Sequence, residues 1–122
     1  MNSETPPLPI SDEQLNREIA KLRGWEECSL AGIGMVWAKP NGGISPLRDV
    51  CRDAQFVGEV LVWLRDQGRK PGLLCEGDTF VASVWRSGAS RETVWASARD
   101  TSPGRALAVA TCRAYGRIED AA

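Results

Sequence analysis

A carboxylate pair, four thiols and a scatter of tryptophans and arginines are the groups in this 122-residue chain that could carry chemistry, and it contains no histidine. Without imidazole, proton transfer near neutral pH falls to carboxylates, lysine, cysteine or tyrosine. Asp49 and Asp53 have the i,i+4 spacing that shares a helix face. Arg48 and Arg52 sit beside them, which makes a solvated, salt-bridged surface the simpler reading. Cys28, Cys51, Cys75 and Cys112 include no Cys-x-x-Cys pair, so the sequence predicts no zinc site. Glu27 and Glu76 adjoin Cys28 and Cys75 and oppose thiolate formation, and reduced structural thiols fit best. The expectation is a protein that is not an enzyme and needs neither metal nor cofactor.

The more suggestive constellation is aromatic and cationic. Two segments, 79–86 and 91–99, flank Ser87-Gly88-Ala89-Ser90 and read as a β-hairpin, while 32–40 reads as a separate strand closed by Pro40-Asn41-Gly42-Gly43. If these three strands pair, period-2 alternation puts Met35 and Trp37, then Val81, Ser83 and Trp85, then Thr93, Trp95 and Ser97 on corresponding faces. Arg86, Arg91 and Arg99 fall at the hairpin's strand ends. A planar base stacked on Trp37, Trp85 and Trp95, with its phosphate met by those arginines, is then a chemically reasonable ligand. The competing reading is that the indoles fill the core and the arginines are solvated. Asn41-Gly42-Gly43 lacks the lysine and hydroxyl of a phosphate loop and reads as a turn.

These groups need elements to position them. Ser11-Asp12-Glu13-Gln14 is a capping-box pattern with Ile10 and Leu15 as its hydrophobic staple. Leu15, Ile19 and Leu22 then form one stripe, and Gly24 stops a first helix at about 12–23. Val50, Ala54, Val57, Leu61 and Leu64, widened by Phe56, Val60 and Trp63, predict a well-buried helix over 49–67, ended by Gly68 and Pro71. Leu73, Leu74 and Cys75 are expected as a short edge segment. Ser102-Pro103 opens a last helix that runs to Tyr115 and stops at Gly116, with Ala106, Ala110 and Ala114 permitting close approach. The predicted order is α-β-α-β-β-α, an α+β layered sandwich with a small, mainly antiparallel sheet packed with helices. One domain over 10–117 is expected, with a disordered stretch at 1–9 and a flexible one at 118–122.

Composition limits the rest. The 43% hydrophobic and 25% charged residues are those of one globular domain, and the net charge of −1 exerts no general pull on nucleic acid or an anionic membrane. Arginine supplies 12 of the 15 basic side chains, which suits phosphate or carboxylate recognition and equally reflects a GC-rich coding bias. No run is long and apolar enough to span a bilayer, and the N-terminus lacks a signal-peptide pattern, so a cytoplasmic location is expected.

The stretch Leu15-Asn16-Arg17-Glu18-Ile19-Ala20 with Gly24-Trp25, the Trp-bearing strand, the central helix, the hairpin and the closing Thr101-Ser102-Pro103-Gly104-Arg105-Ala106-Leu107-Ala108 and Cys112-Arg113-Ala114 together resemble the phage ABA-sandwich domain family over about residues 12–115. Gly104-Arg105, placed between the proline and the alanine-rich helix, departs from that pattern. The resemblance implies a bacteriophage or prophage protein acting inside a bacterial host cell, with helical layers around a sheet, and transfers no catalytic residue. Two function classes follow. One is a non-catalytic protein that binds a small nucleotide, sequestering a host immune signal as an anti-defence protein. The other is a homo-oligomeric or host-protein interaction module without a small ligand, working through a sheet edge or the alanine face of the last helix. Nucleic-acid binding ranks third, supported only by the Arg-rich C-terminal third.

Overall fold

The Gln14 amide donates to the Ser11 hydroxyl at 3.1 Å, and helix α1 runs from that cap over Asp12–Leu22 in the computed structural model, whose described residues are 10–86 and 94–118. The predicted disordered N-terminus, the 87–90 loop and most of the flexible C-terminus lie outside those residues. Gly24, at φ +83°, ends the helix in the left-handed region open to glycine. Strands β1 (Glu26–Leu30), β2 (Gly34–Ala38) and β3 (Ile44–Ser45) follow as a small antiparallel sheet in that order. Helix α2 spans Ala54–Asp66, β4 Arg69–Glu76, β5 Thr79–Arg86, β6 Val94–Asp100 and α3 Pro103–Ala114. Strands β4, β5 and β6 form a second antiparallel sheet in that order.

The fold is thus α+β with three helices, and the sequence order of elements is close to the expected one. The main correction is the sheet. One sheet was expected, and there are two, because β2 finds its partners locally: Trp37 pairs with Glu27 of β1 and Ser45 of β3, not with the 79–99 hairpin. Neither β1 nor β3 is anticipated from the sequence. Glu26-Glu27-Cys28 lacks the β-branched and aromatic signature of a strand, and a two-residue strand leaves no periodicity.

Two boundaries also move. Helix α2 begins at Ala54, not near 49, because the Asp53 carboxylate accepts from the Gln55 amide at 3.0 Å and caps it there. Residues 49–52 form a turn whose amides and carbonyls are claimed by other elements, as described below. The short segment expected at 73–75 is in fact an eight-residue strand, with Pro71 inside it opposite Val84. A proline is tolerated there because, among the described residues, β4 is an edge strand that pairs only with β5.

Helix α3 is enclosed nearly all round, with Gly104, Ala106–Cys112 and Ala114 buried. Ala106, Ala108 and Ala110 are fully covered, since short side chains let the helix approach the sheet closely. The core joins them to Leu15 and Ile19 of α1, Phe56, Val60 and Leu64 of α2, and Ala82, Val84 and Ala98 of the second sheet. Each enclosed Leu, Ile or Val there contributes roughly 1.5–3 kcal/mol by leaving water. A smaller cluster of Ala20, Trp25 and Trp37, with Leu47 against it, ties the first sheet to the end of α1.

Candidate functional site

The three predicted tryptophans are placed in three different environments. Trp37 is 3% exposed, packed with Trp25 and Ala20. Trp85 is half-buried on the face of the second sheet that also carries Lys70 of β4, as the β4–β5 register requires. Trp95 belongs with neither. A bulge between Val84 and Trp85 pairs Trp85 with Val94 and Val84 with Ala96, leaving Trp95 as the extra residue. Its ring turns to the helix side, 5.1 Å from Tyr115, with the Arg69 guanidinium 4.5 Å over it. The expectation that Trp37, Trp85 and Trp95 lie on corresponding faces is therefore corrected: β2 is in the other sheet, and the bulge breaks the alternation that the prediction relied on.

Of the three predicted arginines, Arg99 is the one whose side chain is described. Arg99 reaches Glu76 at 2.9 Å and the Thr79 hydroxyl at 3.3 Å, on the side of the sheet that carries Trp85. The Arg86 backbone closes β5 opposite Arg69, and Arg91 lies outside the described residues. Among the described residues, the close arginine–tryptophan pairs of the second sheet and of the first cluster use cations the sequence reading did not single out. Arg69 covers Trp95, and Arg23 stands 5.0 Å over Trp25 with Lys39 at 5.3 Å. No local signal marks Arg69, because its ring partner is brought to it by the β4–β5–β6 register.

Two hollows open on the helical side. One, of roughly 560 Å³, is lined by Arg23, Glu59, Val62, Trp63 and Asp66, and its arginine is bridged to Glu59 at 3.4 Å. The other, of roughly 440 Å³, lies between Val57, Leu73, Cys51 and Pro103. Neither brings together a nucleophile and a base. Burial pushes the Cys51 thiol up to about 12, with Asp12 and Asp49 adding to the shift, and burial followed by Glu18 does the same for Cys112. Both stay protonated and unreactive at neutral pH. Iodoacetamide at pH 8 is expected to modify Cys75, which is exposed, and Cys28, which is half-buried, while sparing Cys51 and Cys112 in the folded protein. Intact-mass spectrometry with peptide mapping checks this, and early labelling of Cys51 or Cys112 would contradict it. The sign for stability follows from the same shift. Above about pH 9 the unfolded chain ionises these two thiols and the native one does not, so stability falls as pH rises toward 12.

The carboxylate pair also has structural work. Asp49 accepts from the Asn16 amide at 3.1 Å, and Asp53 caps α2. They share no helix face, since 49 precedes α2. Around them lies a polar clasp. Asn16 accepts from the Val50 amide at 2.9 Å, and the Ser102 hydroxyl donates to the Cys51 carbonyl at 2.8 Å. Arg105 donates to Asp12 and to the Ile10 carbonyl, each at 2.6 Å. Its Nε stands 3.3 Å from Asp100. The stretches containing Asn16 and Ser102–Arg105, far apart in sequence, thus converge on residues 49–52.

What remains unoccupied by packing is one side of the second sheet and one of its edges. Helices α2 and α3 meet this sheet on the Ala82, Val84 and Ala98 side, and α1 packs against α3 behind it. The register places Lys70, Gly72, Leu74 and Glu76 of β4, Val81, Ser83 and Trp85 of β5, and Ser97 and Arg99 of β6 on the other. No described helix covers that side, and Leu74 is 59% exposed there. Searches against family models, curated proteins and solved structures find no match to this chain.

Proposed function

We propose that this protein is a non-catalytic interaction module that associates with a second copy of itself through the second sheet. The observation that carries this reading is the sheet's one-sidedness: helices α2 and α3 pack on one face, with α1 behind them against α3, while Leu74, Val81 and Trp85 stand on the other and β4 ends the sheet with no further strand beside it among the described residues. A sheet side with exposed apolar groups and a free edge is a ready site for another chain. The resemblance to phage ABA-sandwich domains supplies a setting for it, a phage or prophage protein whose assembled form meets a host protein.

The nucleotide reading is weaker on this geometry. It needs three indoles and three guanidinium groups around one hollow, and among the described side chains only Trp85 and Arg99 of that set share the uncovered side, with Arg99 already held by Glu76. Light scattering over a concentration series is expected to give twice the chain mass at high concentration. Thermal-shift assays with cyclic and linear nucleotides are expected to show no stabilisation. A strict monomer at millimolar concentration overturns the reading, and a nucleotide-induced rise in melting temperature replaces it with the ligand-sequestering one.

A further inference from the structure

We infer that two copies join by antiparallel pairing of β4 with β4, centred on Leu73, to make one continuous six-stranded sheet. This rests on the self-association proposed above and specifies its geometry.

The argument begins at the turn. Glu76 and Thr79 are directly opposite across Gly77-Asp78, and Gly77 has φ +64°, as the first position of a two-residue hairpin turn requires. The residues flanking such a turn exchange both backbone hydrogen bonds, so Glu76, Leu74, Gly72 and Lys70 are bonded to β5. The backbone groups of Cys75, Leu73, Pro71 and Arg69 then point away from it. Pro71, which has no N–H, occupies one of these outward positions and leaves the internal ladder intact. No described strand lies along that side of β4. The opposite edge differs, since Arg113 of α3 already donates to the Ser97 carbonyl of β6 at 2.9 Å.

Antiparallel pairing about Leu73 sets complementary groups opposite one another, with Glu76, already bridged to Arg99 of its own chain, meeting a second cation. Leu73 exchanges two backbone bonds with its own copy, and the Cys75 N–H donates to the Pro71 carbonyl across the axis. On the uncovered side, Lys70 comes opposite Glu76 of the second copy, and by symmetry Glu76 opposite Lys70, at a Cβ separation of ~4.5–5.5 Å. Leu74 comes opposite Gly72, where no atom lies within 4 Å of the missing Cβ position, so the exposed leucine fills the space the glycine leaves. A slip of two residues one way sets Lys70 against Leu74 instead, and a slip the other way sets Glu76 against Gly72. The basic start and acidic end of Arg69-Lys70-Pro71-Gly72-Leu73-Leu74-Cys75-Glu76 make the strand complementary to its own reverse. Lysine and proline on an edge normally discourage pairing. Here the lysine finds Glu76 of the second copy opposite it only in this register, since the slip that sets Glu76 against Gly72 carries Lys70 beyond the strand to Asp78 of the turn.

Charge exchange tests the inference on the full chain by sedimentation equilibrium. Lys70→Glu turns two attractive cross-strand pairs into two repulsive ones and is expected to weaken the dimer roughly 10- to 100-fold, and Glu76→Lys does the same while also removing the intrachain partner of Arg99. Both side chains are exposed, so circular dichroism should stay unchanged. The double variant K70E/E76K restores both pairs with reversed sign and is expected to return the dissociation constant to within a few-fold of the starting value. A dimer indifferent to the single reversals, or one not recovered in the double variant, overturns edge pairing while leaving self-association standing. A wild-type monomer overturns both.

Discussion

Replacing Gly104 by alanine should lower the melting temperature by on the order of 10 °C, although alanine is the better helix former. At an open helical position the exchange stabilises by about 1 kcal/mol. At residue 104 the added Cβ would meet the Val50 carbonyl, and the Cys51 carbonyl oxygen would stand at 2.7 Å. Those obstacles are backbone atoms. They belong to the turn that the Asn16, Asp49 and Ser102 side chains hold in place, so they cannot rotate aside as a side-chain tip would. Overpacking of this kind costs typically 1–3 kcal/mol and more where the neighbour is fixed. A net loss of about 3 kcal/mol in a domain of this size gives the expected shift. Gly58, inside α2 with nothing within 4 Å of its missing Cβ, is the control: Gly58→Ala should raise stability by roughly 0.5–1 kcal/mol. Thermal unfolding of the two variants side by side decides the matter. If Gly104→Ala is neutral or stabilising, helix α3 does not approach residues 50–51 as described.

Arg105→Met should be comparably damaging for a different reason. The Arg105 side chain is 21% exposed and holds three partners: Asp12 at the start of α1, the Ile10 carbonyl just before it, and Asp100 at the end of β6. Methionine keeps much of the stem's apolar volume but leaves Asp12 and Asp100 without their shared cation. Breaking a buried pair by removing one partner costs ~3–5 kcal/mol. With this partial exposure, and with Arg52 still 3.4 Å from Asp12, roughly 2–3 kcal/mol is the expectation. Arg105→Lys should recover little of it, because an ammonium cannot reproduce the planar fork that meets a carboxylate and a carbonyl together. Denaturant melts with Asp12→Asn as the second arm of a double-mutant cycle would show coupling above ~1 kcal/mol between Arg105 and Asp12. Additive effects would mean that the two side chains do not act as a unit.

Both predictions concern the clasp at residues 49–52, and this is where the sequence is least transparent. Ser102-Pro103 is legible as a helix start from local chemistry alone, and so is Ser11 as a cap, because a cap satisfies backbone groups within its own turn. Gly104 and Arg105, by contrast, look like an irregularity between a proline and an alanine-rich helix. Their reason is a neighbour some fifty residues earlier in one case and at the other end of the chain in the other. The apolar periodicity of 49–67 correctly indicates a helix and overextends it, since Val50 and Cys51 are buried by contact with α1 and α3 and not by membership in α2. The two acidic residues that invited a catalytic reading, Asp49 and Asp53, are explained the same way, one by Asn16 and one by the cap.

The tryptophan constellation illustrates the limit most sharply. Alternation along β5 places Val81, Ser83 and Trp85 together from sequence alone. Whether Trp37 and Trp95 join them depends on sheet membership and on a single extra residue at 94–95. Local pattern determined the three helices, the β5–β6 hairpin and the α+β class, because caps, stops and hydrophobic periods act over one or two turns of chain. Tertiary pairing alone decided that there are two sheets, which way Trp95 faces, and that β4 is the edge strand among the described residues. Strand register is a long-range choice that flips every side chain when it shifts by one.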